Sequence, residues 1–167
     1  MPHITRKIYG FSEETESVIT MESKLYGPYE RQIFYYETDC MGIVHHSNYI
    51  RWFEEARVWL LKEVGIPYHS FEAKGILIPV LSVTANYRKA FTYGDTFRVF
   101  LKCSSFNGIR WNFEYEVRNA KDGELYTDGK SSHCFVDKGM NPINLKKADR
   151  ELYDTLTGII QSKAKAE

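Results

Sequence analysis

The sequence predicts an α+β fold in which one antiparallel sheet of five or six strands wraps around a single long helix. Three observations predict it. Apolar residues recur at intervals of three and four between Tyr49 and Val64, which is the period of a helix with one buried face. Almost everything from Ile76 to Asp137 reads as strand, with apolar and polar residues alternating. Turn-forming dipeptides separate those strands at short intervals. At 167 residues the chain suits one domain, and 43% hydrophobic with 26% charged residues supplies both an interior and a wetted surface.

Residues 1–25 are polar, carry Glu13, Glu14 and Glu16, and hold no sustained period, so they read as an N-terminal extension. The domain follows over 26–138, and a C-terminal helix and tail over 139–167. A first strand runs from Gly27 to Tyr36, where the β-prone Arg31-Gln-Ile-Phe-Tyr-Tyr36 breaks at the turn formers of Glu37–Gly42. Ser47 or Asn48 is a natural N-cap for the helix. Tyr49, Trp52, Phe53, Ala56, Leu60 and Val64 share its face, Val58, Trp59 and Leu61 broaden the stripe, and Gly65 with Pro67 behind it stops the chain turning. At 1.5 Å per residue the helix is about 25 Å long. A stripe this wide calls for a sheet to cover it.

That sheet is then read strand by strand. Leu77–Lys89 opens it, with Pro79 marking an edge or a bulge. Thr96–Cys103 puts Phe97, Val99, Leu101 and Cys103 on one face, and Arg110–Arg118 alternates throughout. Asn107-Gly108 and Asp122-Gly123 are the dipeptides that type I′ turns select. Leu125–Val136 completes a meander. Lys146–Ile160 is a second helix, with Leu145, Ala148, Leu152, Leu156 and Ile159 spaced for one face. A curved open sheet leaves edges unpaired, so a homo-oligomer, dimer or tetramer, is expected.

Composition limits the partners. Lys plus Arg and Asp plus Glu number 22 each, so no global field gathers nucleic acid. The most continuous apolar stretch, Ile76–Leu81, is far short of the ~20 residues a membrane helix needs. Three cysteines, Cys40, Cys103 and Cys134, are an odd count, and the opening residues hold no apolar signal core, so a cytoplasmic protein is expected. Nucleophile-elbow, phosphate-loop, dinucleotide and metal-ligand spacings are missing, which disfavours metal and nucleotide chemistry.

What remains is Tyr36-Glu-Thr-Asp39-Cys-Met-Gly42-Ile-Val-His-His46-Ser-Asn-Tyr49, a carboxylate, a glycine and two histidines immediately before a helix start. The first amides of a helix have no intrahelical partner and carry the positive end of its dipole, so they can polarise a carbonyl or hold an oxyanion. Gly42 permits close approach to the backbone.

This segment resembles the YbgC-type acyl-CoA thioesterases related to 4-hydroxybenzoyl-CoA thioesterase, a family with the hotdog fold. Tyr36-Glu-Thr-Asp39, Gly42-Ile-Val44, His46 and Asn48-Tyr49 match its leading motif, Glu54-Glu-Ala-Arg57 its helix and Tyr93-Gly-Asp95 its later turn. The likeness spans about Gly27 to Val136. The resemblance implies hydrolysis of an acyl-CoA to a free acid and coenzyme A, with no cofactor beyond the coenzyme A of the substrate. It makes Asp39 the catalytic carboxylate, as nucleophile or as general base on water, and puts the amide of His46 at the polarising position. Gly42, Val44 and Tyr49 would border the substrate, and Arg88 and Lys89 would meet the coenzyme A phosphates. An acyl carrier protein thioester is an alternative substrate.

Plainer readings stand beside these. Asp39 by itself reads as a turn residue, His45 as a loop residue near the cap, and His46 as either. Cys40 is an incidental thiol, because no base is identifiable for it. Glu54 and Arg57, at i and i+3, read as a structural pair, with Glu54 as reserve catalyst because some hotdog thioesterases carry their carboxylate on the helix. Asp95 is turn chemistry, and Arg88 and Lys89 also suit a solvated strand end. Two rival functions are a hotdog enoyl-thioester hydratase, disfavoured by the spacing of its aspartate and histidine, and a binding module for acyl thioesters with little turnover.

Overall fold

The computed structural model describes residues 24–161. All but the last two residues of the expected extension, and the end of the tail, lie outside the described residues. Strand β1 (Tyr26–Gln32) leads through a 3-10 turn (Tyr35–Glu37) to helix α1 (Ser47–Glu63) and a short helix α2 (His69–Ala73). Strands β2 (Val80–Tyr87), β3 (Thr96–Phe106), β4 (Arg110–Asn119) and β5 (Leu125–Cys134) follow, then helices α3 (Leu145–Ala148) and α4 (Arg150–Gln161). The five strands form one sheet in the order β1-β3-β4-β5-β2, antiparallel throughout. The sheet packs around α1, which is the hotdog arrangement.

The alternation in β3 and β4 sends Phe97, Val99, Leu101, Trp111, Phe113, Tyr115 and Val117 inward, all of them buried. They meet the buried face of α1, where Trp52 stacks on Phe97 at 4.0 Å between ring centroids and Phe53 on Tyr115 at 4.3 Å. Burying each such aromatic contributes roughly 2–3 kcal/mol. The helix approaches the sheet this closely because β5 has a glycine at the crossing. A Cβ on Gly129 would lie 2.5 Å from the Phe53 ring and 2.6 Å from the Thr84 carbonyl oxygen. The C-terminal segment shares this core: Leu145, Leu152, Leu156 and Ile160 are buried, and Tyr153 stacks on Phe106.

Several boundaries differ from the sequence reading. β1 stops at Gln32 rather than Tyr36, and Tyr35 and Tyr36 are about three-quarters exposed. The buried Glu37 carboxylate accepts the Phe34 amide and pulls the chain out of the strand into the 3-10 turn. Helix α1 starts at Ser47, and neither Ser47 nor Asn48 caps it: the preceding His46 holds the N-cap position without a side-chain bond. Asn48 instead donates to the Glu37 carbonyl at 2.8 Å. β2 begins at Val80, because Leu77 is already diverted into an isolated bridge with Val136. The turns at Asn107-Gly108 and Asp122-Gly123 are not type I′. Gly108 and Gly123 have positive φ, but among the described residues Met140 is the only non-glycine that does, and the loops hold three and five residues. The C-terminal helix is two helices, broken at Asp149, whose carboxylate accepts the Leu152 amide and pairs with Lys74.

Candidate active site

The loop from Thr38 to Val44 is a closed turn. The Asp39 amide donates to the Ile43 carbonyl at 2.9 Å, the Gly42 amide to the Asp39 carbonyl at 2.9 Å, and Thr38 bridges Val44. One carboxylate oxygen of Asp39 accepts the Met41 amide at 2.8 Å, which fixes the side chain on the inner side of the turn. Gly42 takes φ +75°, a conformation that L side chains rarely adopt, while a Cβ there would touch nothing within 4 Å. Backbone geometry is therefore its structural reason for being glycine.

Glu37 fastens this loop at both ends. Its carboxylate, 3% exposed, receives Arg31 Nη1 and Nη2, the Trp52 indole N–H and the Phe34 amide, at 2.7–2.9 Å. Its main-chain oxygen accepts the His45 amide at 2.9 Å and the Asn48 side chain. Burial alone would raise the Glu37 pKa, but the bonds from Arg31, Trp52 and Phe34 outweigh it and hold the group below the usual carboxylate range. Sequence reasoning missed this residue. Its only signal was a carboxylate two positions before Asp39, in a segment that read as a turn.

Asp39, Val44, His46, Tyr49, Arg88 and Lys89 line one cavity of about 300 Å³, between the start of α1 and the end of β2. Tyr49 is buried, and its phenol is pushed up to about 12 by that burial, so it stays neutral. Tyr87, also in the lining, donates to the His46 carbonyl at 3.0 Å. Among the described residues no acceptor takes the His46 amide, and the Ser47 amide reaches only His45 Nδ1, at 3.3 Å. The helix start thus leaves without an acceptor the N–H of His46, a residue that lines the cavity with Asp39. Arg88 pairs with Asp128 and Lys89 with Glu124, on the solvent side. Such exposed pairs are weak and exchange readily for another anion.

The remaining named residues lie elsewhere. Gly42 sits in the turn but not in the cavity lining, and His45 is held by Ser47 at 2.8 Å. Glu54 is exposed and borders a second cavity, of about 180 Å³, with Arg57, Trp111 and His133. The expected Glu54–Arg57 pair does not form among the described residues, because Arg57 turns to the sheet and donates to the Tyr115 hydroxyl at 2.9 Å. Asp95 closes its turn by accepting the Thr92 amide. No cluster of three or more histidine, cysteine, aspartate or glutamate side chains suited to a metal occurs among the described residues.

A sheet wrapped on one helix, with a carboxylate loop at the helix start, defines a hotdog protein of the thioesterase kind. The model of the thioesterase-like superfamily matches residues 35–152, and the chain belongs to that superfamily. It is 40% identical over 120 residues to YneP of Bacillus subtilis, named as a candidate acyl-CoA thioesterase, a match covering 71% of this chain and 86% of YneP. It is 23% identical over 117 residues to the acyl-CoA thioester hydrolase YbgC of Escherichia coli O6:H1, covering 70% and 87% of the two chains. The crystal structure of the DHNA-CoA thioesterase of Staphylococcus aureus superposes with a TM-score of 0.75 at 30% identity, over 79% of this chain and 89% of that one. Among the described residues no helix is long and apolar enough to cross a membrane.

Proposed function

We propose that this protein hydrolyses an acyl-CoA thioester to a free acid and coenzyme A, with Asp39 as the catalytic carboxylate. The observation that carries this reading is the cavity lined by both Asp39 and His46, whose amide has no acceptor among the described residues. The thioester carbonyl oxygen rests against the His46 N–H, which stabilises the charge that develops there. Asp39, ionised, either attacks the carbonyl carbon to give an anhydride that water opens, or takes a proton from water as it attacks. Either route joins one water to the acyl group and releases the thiolate, which then takes up a proton. With a thiol pKa near ~8.5 the thiolate departs without a dedicated acid, so no further relay, metal or organic cofactor is needed. Arg88 and Lys89, at the rim, exchange Asp128 and Glu124 for the coenzyme A phosphates. A carrier-protein thioester presents the same bond to the same groups.

The assembly proposed is a homodimer, or a tetramer built from it. Among the described residues β2 ends the sheet, its residues mostly alternate between exposed and half-buried, and one of its two hydrogen-bonding sides has no strand. Two copies paired antiparallel along β2 bring the Tyr87 end of one, with its Asp39 cavity, beside the Val80 end of the other, so the active site lies at the seam. A reducing compartment such as the cytosol suits the three free thiols. The reading is tested by thiol release from short, long and aromatic acyl-CoA substrates. Turnover of at least one supports it; binding of acyl-CoA without thiol release, or a change in enoyl absorbance instead, overturns it.

A further inference from the structure

The proposed reaction does not use the second cavity. It opens between α1 and β2, where Val58 and Val80 are about half exposed, and ends against Leu61, Trp111, Phe113 and His133, all buried. Its about 180 Å³ compares with ~30 Å³ for one water in the liquid, enough for the end of an acyl group and too little for a whole acyl-CoA. The lining is apolar except for Glu54, Arg57, His133 and the amphipathic Tyr68 and Trp111.

His133 is 2% exposed and belongs to a buried hydrogen-bond chain. Arg57 Nη1 lies 2.9 Å from the Tyr115 hydroxyl, that hydroxyl 2.6 Å from Ser131 Oγ, and Ser131 Oγ 2.7 Å from His133 Nε2. A guanidinium only donates, and of the two directions open beyond Tyr115 one leaves the buried Tyr115 O–H without an acceptor, whereas the other leaves only a His133 N–H, on a ring that lines the cavity. Arg57 donates to Tyr115, Tyr115 donates to Ser131, and Ser131 donates to Nε2. This second direction, with the ring proton on Nδ1, is the one the proposal takes. Burial, with Arg57 nearby, pushes the imidazole down to about 3, so it remains neutral at physiological pH. Nδ1–H has no partner among the described residues.

We propose that His133 is a specificity-determining residue: its Nδ1–H donates to a neutral oxygen, hydroxyl or keto, on the far part of the acyl group held in this cavity. The inference rests on the thioesterase reading and narrows its substrate class to oxygenated acyl groups. Across a β2-paired seam the cavity of one copy neighbours the Asp39 cavity of the other, which is where an acyl end must go. A hydrocarbon end leaves the donor unpaired in an apolar site, and that loss is what discriminates.

The test uses two matched pairs, 6-hydroxyhexanoyl-CoA against hexanoyl-CoA and 4-hydroxyphenylacetyl-CoA against phenylacetyl-CoA. It reads the ratio of kcat/KM within each pair, which cancels any general loss of activity. The wild-type protein is expected to favour the oxygenated member of at least one pair about tenfold, and His133→Phe to abolish that preference. A wild-type ratio near one in both pairs, or the wild-type preference kept in His133→Phe, overturns the proposal. Nitrogen-15 histidine spectra of the wild-type protein give a second arm that needs neither a variant nor turnover. Nδ1 should be the protonated nitrogen of His133, and 4-hydroxyphenylacetic acid should shift it while phenylacetic acid does not. A proton on Nε2, or equal effects of the two acids, overturns the proposal. Absence of all thioester hydrolysis removes the proposed function, and the spectra still decide the role of His133.

Discussion

Arg31 and Glu37 meet fork to fork, with Nη1 donating to Oε2 at 2.9 Å and Nη2 to Oε1 at 2.7 Å, and the carboxylate is almost wholly buried. The pair ties the end of β1 to the turn that carries Asp39, and Trp52 ties the same carboxylate to α1. The position of the Asp39 loop relative to the helix therefore depends on a charge that is not part of the proposed chemistry.

Glu37→Ala should cost about 3 kcal/mol of unfolding free energy, because it leaves the Trp52 indole N–H and the Phe34 amide without their acceptor and takes one of two carboxylates from a mostly buried guanidinium, which keeps only Glu55. The pH dependence follows from the depressed Glu37 pKa. This stabilisation is fully present above the unfolded value of ~4.3 and is lost as pH falls through the lower folded value. Wild-type stability should fall in that acid range more steeply than that of Glu37→Gln. Urea melts between neutral and acid pH measure both.

Gly129→Ala should destabilise by about 1–3 kcal/mol, since the added methyl group meets the Phe53 ring and the Thr84 carbonyl at 2.5–2.6 Å. Phe53→Leu in the same chain should recover part of that loss, as a smaller side chain clears the space. A double-mutant cycle on urea melts tests it; additive losses would show that the contact is not the cause.

Placing lysines at Ser82 and Thr84, exposed on β2, should prevent pairing along that edge. Sedimentation is expected to show a dimer or tetramer for the wild-type protein and a monomer for the double variant, with turnover lost together with assembly. An active monomer would detach the site from the seam.

How much of this was legible in the sequence depended on how far apart the interacting residues lie. Helix α1 and strands β3 and β4 announce themselves because period 3.6 and period 2 are local patterns, and the buried sets follow the alternation. The Arg31–Glu37 fork spans a strand end that looked continuous, and only a buried carboxylate makes the chain leave it. The Gly129–Phe53 contact joins β5 to α1, and no spacing rule reports it. Alternation alone places His133 on the inner face of β5, but the relay to Arg57 requires strand register and a helix side chain turned inward. At the site, Asp39, His46, Val44, Tyr49, Arg88 and Lys89 come from two segments some forty residues apart, and the cavity that gathers them exists only once β2 lies beside the start of α1.

The most direct test of the central claim is thiol release by Asp39→Asn, measured beside the wild-type protein with folding and assembly checked by circular dichroism and sedimentation. The variant should fold and assemble as the wild type does and lose at least about 10³-fold in kcat, because the amide neither attacks a carbonyl nor takes a proton from water. Wild-type turnover by a folded Asp39→Asn protein would contradict the account.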